Sequence, residues 1–188
     1  MRKVAITTSK RPARRTRSLC RDLEHAFPDA VYVQRGTKNL RDTILEALAE
    51  DAEVLLYVTE WKGNPSEVSF VDITEVPPET VLKFRLGGVK LQREFIGDRT
   101  ELKGELTVTT SKRPVSGHVK VAEALADVLG VPFEPRIGPL SDVPGDVLIV
   151  VEGHPRYLGT WVFHKGDEKV GPALFYREFS TERETMEV

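Results

Sequence analysis

Thr-Thr-Ser-Lys-Arg-Pro occurs twice in this chain, at residues 7–12 and again at 109–114. Six consecutive identities in 188 residues do not arise by chance. The two copies lie 102 residues apart, too long for a solenoid period and suited to a duplicated half-domain. The flanks repeat as well. Val4-Ala5-Ile6 and Leu106-Thr107-Val108 read as short strands entering the two copies. After the first copy, Leu19, Leu23, Ala26 and Phe27 recur at helical spacing, and 102 residues further on stand Val121, Leu125, Val128 and Leu129. Each copy is therefore expected to be a strand, a polar Ser-Lys-Arg-Pro turn and a helix. The proline suits such a turn, because its fixed φ and missing N–H are tolerated just before a helix or in its first turn.

The first half reads as a strand over about residues 3–8, a helix over about 13–27 ended by Pro28-Asp29, and a short strand Ala30-Val31-Tyr32-Val33 closed by Arg35-Gly36. Asn39 is a candidate N-cap for a helix over about 40–50, with Leu40, Ile44, Leu45 and Leu48 as its apolar stripe. The continuous apolar run Val54-Leu55-Leu56-Tyr57-Val58 predicts a central buried strand. Val68 to Ile73 and Thr80 to Leu86 predict two more, separated by Pro77-Pro78. Polar, glycine-punctuated residues 87–104 contain the expected crossing between halves. The second half repeats the order with strands at about 105–110, Val147 to Val151, Thr160 to Phe163 and Ala173 to Tyr176, and a helix at about 117–129 with Gly130 as its C-cap. By residues 54 and 147 the offset has fallen to 93, so the second half has lost residues. Arg136 to Gly145 is too rich in proline and glycine for a helix, so the missing piece is expected to be the middle helix. The pattern predicts an α/β fold of two similar halves with mixed sheets, related by a pseudo-two-fold axis, and a frayed acidic tail after residue 180.

Composition narrows the function. The chain is 40% hydrophobic and 30% charged, enough for a core and for solubility, and no apolar run is long enough for a transmembrane helix. Its N-terminus lacks the apolar stretch of a signal peptide, which leaves a soluble intracellular protein as the expectation. The single cysteine, Cys20, excludes an internal disulfide and a multi-cysteine zinc site. The net charge of −2 conceals an uneven distribution. Residues 1–22 carry Arg2, Lys3, Lys10, Arg11, Arg14, Arg15, Arg17 and Arg21 against Asp22 alone, while acids collect at 46–53 and 182–187. A local basic patch matters more to a polyanion than the total does.

The catalytic inventory is thin. There is no Gly-x-Ser-x-Gly elbow and no Walker or Gly-x-Gly-x-x-Gly motif; Arg85-Leu86-Gly87-Gly88-Val89-Lys90 is only a faint phosphate loop. His25, His118, His154 and His164 lack metal-ligand spacing, and no metal or cofactor is expected. Ser9 and Ser111 are poor nucleophile candidates without a shared histidine, and Glu60 and Glu152 read as solvated strand ends. The basic stripe is the stronger signal. Arg14, Arg17 and Arg21 fall opposite the apolar face of the first helix, and Lys10 and Arg11 precede it. The exposed N–H groups and positive end of that helix add to an anion site able to follow a phosphate backbone. The second copy keeps Ser111, Lys112 and Arg113, but its helix carries Lys120, Glu123 and Asp127 on the polar side, so its charge is weaker.

The run Ile6-Thr7-Thr8-Ser9 with its basic residues and proline, the amphipathic helix ending in Phe27-Pro28, then Arg35-Gly36, Leu40 and the apolar strand before Glu60 resemble the Brix domain. The resemblance spans nearly the whole chain. It implies a ribosome biogenesis factor, not an enzyme, that binds precursor ribosomal RNA and assists its processing and subunit assembly. It also implies two α/β halves, each similar to the anticodon-binding domain of class IIa aminoacyl-tRNA synthetases. Where many members carry Gly-Pro-Thr ahead of a Phe, this chain has Pro77-Pro78-Glu79-Thr80 ahead of Phe84, with Gly171-Pro172 in the second half. Lacking the long extensions of nucleolar members, it resembles the minimal, archaeal kind, for which the cytoplasm is the expected location. The expected organisation is one Brix-type domain over residues 1–180, with halves at about 1–95 and 105–180, and an acidic tail at 181–188. The expected RNA-binding residues are Ser9, Lys10, Arg11, Arg14, Arg15, Arg17, Arg21, Ser111, Lys112 and Arg113. Trp61 and Tyr157 are candidates for stacking on unpaired bases, with core packing the commoner fate of such rings. Rival readings are a module that docks ribosomal or other assembly proteins and an enzyme on phosphorylated small molecules.

Overall fold

A computed structural model describes residues 1–188. In chain order the elements are β1 (Val4–Thr8), α1 (Arg14–Ala26), β2 (Val31–Tyr32), α2 (Leu40–Ala49), β3 (Val54–Trp61), β4 (Asn64–Asp72), β5 (Glu79–Lys90), α3 (Arg93–Ile96), β6 (Leu106–Thr110), α4 (Ser116–Leu129), β7 (Val147–Glu152), β8 (Gly159–Lys165), β9 (Glu168–Ser180) and β10 (Glu184–Thr185). All strands join one ten-stranded sheet in the order β2-β1-β3-β4-β5-β9-β8-β7-β6, with β10 beside β5. The halves thus do not carry separate sheets: β5 and β9 pair antiparallel and make them continuous. Three pairings are parallel, β1–β2, β1–β3 and β6–β7, and the rest antiparallel.

Strand alternation sends successive side chains to opposite faces, and the core divides accordingly. Val4, Ile6, Leu56, Val58, Phe70 and Phe84 from the first half and Val108, Ile149, Val151, Trp161 and Phe163 from the second meet α1 and α4 in a single cluster. Leu19, Leu23 and Ala26 of α1, and Phe27 at its C-cap, are all buried in it, as their spacing requires. Phe27 packs edge-on against Phe163, ring centroids 5.0 Å apart, so the first half's helix closes on the second half's strand. Each such aliphatic or aromatic side chain contributes about 1.5–3 kcal/mol by leaving water. On the other face, Ala5, Leu55, Val71 and Ile73 lie under Ile44 and Ala47 of α2. The second half has no counterpart of α2 there: the short turn Leu140–Asp142, Val143 and Phe95 of α3 cover Leu148, Val150 and Val162, so the middle helix is missing.

Three expectations need correction. Leu45 and Leu48 are exposed rather than part of the buried stripe of α2, which is formed by Thr43, Ile44 and Ala47. The strand expected over Thr80 to Leu86 is longer: β5 runs to Lys90, because β9 supplies a ladder partner as far as Ala173, and α3 follows. The acidic tail is not frayed. Glu184 and Thr185 pair with Thr80 and Glu79, the Met186 amide donates to the Pro78 carbonyl (2.8 Å), and Lys83 pairs with Glu184 at 2.7 Å. Asn39 and Gly130 cap as expected: Asn39 Oδ1 accepts from the Asp42 amide at 2.7 Å, and Gly130 sits at φ +62°.

Candidate functional site

The first Ser-Lys-Arg-Pro turn leaves β1 where the Ser9 amide donates to the Val58 carbonyl at 3.0 Å, anchoring it to the central strand β3. Beyond that anchor Lys10 and Arg11 are exposed, and Arg11 takes a left-handed backbone at φ +52°. Such a conformation costs a non-glycine residue on the order of 1 kcal/mol. Arg14 and Arg17 are exposed on α1, and with Lys10 and Arg11 they form no ion pair, whereas the neighbouring arginines are engaged. Arg15 donates to the Val89 carbonyl and to Glu94 across the molecule. Arg21 pairs with Glu24 at 2.8 Å while lying 4.0 Å over the Tyr32 ring.

The start of α1 is not an open anion site, contrary to the expectation from its helix dipole. Glu60 Oε2 accepts from the Ala13 amide at 2.9 Å and from the Thr16 hydroxyl at 2.6 Å, so the chain's own carboxylate holds the helix N-terminus. Glu60 is thus a cap, not a solvated strand end. On the next residue of β3, Trp61 is 71% exposed, so core packing is not its fate.

The cations converge instead on a cavity of about 380 Å³ beyond the ends of the parallel strands β1 and β2. Arg11, Arg17, Arg35, Thr8, Tyr32 and Gln34 line it, and no carboxylate does. Arg35 is the decisive residue. It is only 8% exposed; its Nε donates to the Lys38 carbonyl at 3.0 Å, and its Nη1 is buried without a partner. A buried, unpartnered charged donor is costly unless a ligand completes it. The Thr8 hydroxyl, beside the Tyr32 phenol, is also buried without a well-formed hydrogen bond. Burial, first of all, raises the Tyr32 pKa, so the phenol remains a neutral donor. Three guanidinium groups without a compensating acid repel one another and attract an anion, and their planar forks match phosphate oxygens. Sequence reading placed Arg35 at a strand end and missed this role.

The second turn is anchored alike, with the Ser111 amide donating to the Val151 carbonyl at 3.1 Å. Lys112 and Arg113 are exposed there. The two turns sit on β1 and β6, seven strand pairings apart along the sheet order. Residues 85–90 are part of β5 rather than a phosphate loop. Gly87 serves packing: a Cβ there would lie 2.1 Å from the Tyr157 ring, whose hydroxyl donates to the Gly87 carbonyl at 3.1 Å. A cavity of about 600 Å³, lined by Arg2, Asp72, Lys120, Glu123 and Asp127 among others, mixes both charge signs and has no such bias toward an anion.

A protein of Methanopyrus kandleri, named a probable Brix domain-containing ribosomal biogenesis protein, is 65% identical over 192 aligned residues that span both chains in full. The chain belongs to the Brix domain-containing ribosomal biogenesis proteins. The Thermococcus kodakarensis protein of the same name is 39% identical, covering 92% of this chain and 88% of its own. No family model matches the chain. Among solved structures, a probable ribosomal biogenesis protein of Aeropyrum pernix superposes with a TM-score of 0.74 at 26% identity, over 93% of this chain and 94% of the other. The archaeal Imp4-like protein Mil, at 20% identity, shares the fold with a TM-score of 0.64 over 95% of this chain and 99% of its own. The resemblance read from the residues is therefore borne out. The relatives are named ribosomal biogenesis proteins, and the family is non-enzymatic. No helix is long and apolar enough to cross a membrane.

Proposed function

We propose that this chain assists ribosome biogenesis by holding precursor ribosomal RNA through its phosphates, at the first Ser-Lys-Arg-Pro turn, the cavity beside it and the free arginines of α1. The observation that carries the reading is the cavity itself, lined by Arg11, Arg17 and the buried Arg35 with no carboxylate among its lining residues. Lys10 and Arg14 extend the surface along which a sugar-phosphate chain runs, and Ser9 places it. Arg15 and Arg21, committed to Glu94 and Glu24, contribute less. Ser111, Lys112 and Arg113 supply a second, weaker contact. Trp61, exposed next to the residue that caps α1, offers a ring for unpaired bases. Held in this way, the RNA would be presented for processing and assembly in the cytoplasm, with ribosomal or other assembly proteins as further partners.

The same reading takes residues 1–180 as one domain, with a short acidic extension at 181–188, made of two copies of one fold about a pseudo-two-fold axis. Each copy would be akin to a class IIa anticodon-binding domain. Support comes from the strand pairings, which run parallel, antiparallel, antiparallel in each half: β1–β3–β4–β5 and β6–β7–β8–β9. Replacing Arg35 by Gln tests the site. Losing a charge-assisted contact should weaken RNA binding by on the order of tenfold. A folded Arg35→Gln protein with unchanged RNA affinity would remove the cavity from the interface.

A further inference from the structure

The sheet face that α2 covers in the first half is left partly open in the second. There Leu148, Val150, Val162 and Ala173 are covered by Leu140 and Val143, with Phe95 and Phe175 packed alongside. A cavity of about 340 Å³ remains, lined by Phe95, His154, Phe175, Thr160, Val162 and Ala173 among others. That is at the lower end of small-ligand sites, about 300–1,000 Å³. Its rings are already organised. His154 and Phe175 have centroids 4.8 Å apart and planes 37° apart, and Tyr157, outside this lining, packs on both rings and holds them in place. Glu152 and Lys169 bring polar side chains to the same lining.

The charge around these rings is biased. Glu152, the one carboxylate lining the cavity, pairs with Lys169. Lys90 Nζ lies 4.0 Å from the Phe95 ring centre, and the Arg177 guanidinium 5.6 Å from that of Tyr157, neither with a carboxylate partner. Arg156, also free of an ion pair, lines an adjoining cavity formed with His154, Tyr157 and Phe175.

We infer that this cavity seats an unpaired nucleobase of bound RNA, an inference that rests on the RNA reading above. A base needs a flat apolar surface to stack on and a polar group at its edge. The aromatic rings supply the first, and the Glu152–Lys169 pair, an acceptor beside a donor in the cavity lining, supplies the second. The surplus of Lys90, Arg156 and Arg177 suits the phosphates that flank such a base. An aromatic side chain from a partner protein would fill the walls and leave that charge unanswered. A base locked in a duplex cannot enter.

The test is fluorescence anisotropy of the full chain with labelled single-stranded RNA and with a blunt RNA duplex of equal length, over a salt series. The variants are His154→Ala, Phe175→Leu and Glu152→Gln, each checked by thermal melting; His154→Ala, at a partly exposed position, keeps the test open where Phe175→Leu does not fold. His154→Ala and Phe175→Leu should each weaken single-strand binding by roughly fivefold or more, leaving duplex affinity and the salt slope unchanged. Glu152→Gln should change the ranking among homopolymer strands. Equal losses on single strand and duplex, or none on either in folded variants, overturn the inference while the RNA reading stands. Capture of a ribosomal protein that Phe175→Leu abolishes, with single-strand affinity intact, also overturns it. A wild-type chain that binds neither RNA overturns the RNA reading itself.

Discussion

After the first Ser-Lys-Arg-Pro turn, α1 presents Arg14, Arg17 and Arg21; at the matching positions of α4, 102 residues on, stand Ser116, Val119 and Glu123. The strand geometry beneath them is the same. Thr7 Oγ1 donates to the Val33 carbonyl at 2.8 Å, and Thr109 Oγ1 to that of Glu134 at 2.6 Å. Two residues past each acceptor comes an arginine whose Nε donates to a nearby backbone carbonyl, Arg35 to Lys38 and Arg136 to Gly138, both at 3.0 Å. What differs is the turn and the helix. Arg11 is left-handed and Arg113 is not, and the helical arginine that completes the first cavity, Arg17, is a valine in the second. One framework thus holds a concentrated cationic site on one side and a diluted one on the other. The hexapeptide alone does not make the site.

The largest stability effect that sharpens the comparison concerns β4 and β8. In register with β3 and β7, Val71 of the first half corresponds to His164 of the second, each buried on the face where only the first half has α2. Burial, chiefly, pushes the His164 pKa down from 6.5 to about 4; Lys169 and Arg136 push the same way and Glu152 opposes them. The folded imidazole is therefore neutral. Below pH 6.5 the unfolded chain takes up a proton that the fold excludes down to about pH 4, so stability falls as pH drops through that window. Importing the first half's solution, His164→Val, should remove roughly 2–3 kcal/mol of the stability lost between pH 7 and 4.5. Urea melts at both pH values check it; an unchanged pH dependence means the imidazole is protonated in the fold.

Next comes the start of each helix. Glu60 caps α1, whereas His118, at the position corresponding to Thr16, bonds the Leu158 carbonyl and brings no carboxylate to α4. Glu60→Ala should cost about 1–2 kcal/mol in urea unfolding at pH 7, by leaving the Ala13 amide and Thr16 hydroxyl unpartnered. A negligible loss would mean water replaces the carboxylate and the two helix starts are alike.

Much of this was legible from the repeat. Its spacing gave both strand-turn-helix units and the loss of the middle helix, and helical phase put Leu19, Leu23 and Phe27 inside with Arg14 and Arg17 outside. The roles of Arg35 and Glu60 were not legible, because each depends on segments far apart in sequence. Glu60 acts 47 residues from the amide it caps, and Arg35 lines a cavity only because β2 pairs parallel to β1. One signal was present and unused: Arg35 and Arg136 recur 101 residues apart, almost the period of the hexapeptide. The end of β5, α3 and β10 escaped for a similar reason. Their local sequences are weak, and the partners β9 and β5 that order β5 and β10 lie in other parts of the chain.

The smallest effect separates the turns themselves. Arg11→Gly relieves a left-handed arginine and should raise stability by about 0.5–1 kcal/mol while weakening RNA binding. Arg113→Gly, where no such strain exists, should not stabilise. Thermal melts of the two variants decide it; equal shifts would mean the turns are conformationally equivalent.

The most direct measurement is the salt dependence of RNA affinity for two variants, Arg11→Ala/Arg14→Ala/Arg17→Ala in the first half and Lys112→Ala/Arg113→Ala in the second. Each lost phosphate contact lowers the slope of log K against log salt by ~0.7–0.9. The first variant should flatten the slope by roughly two units and weaken binding across RNA sequences, and the second by about one unit or less. Both should melt near the wild type, since exposed charges typically contribute within about 0.5 kcal/mol. A folded first-half variant with an unchanged slope, or a larger fall from the second-half variant, would contradict the account.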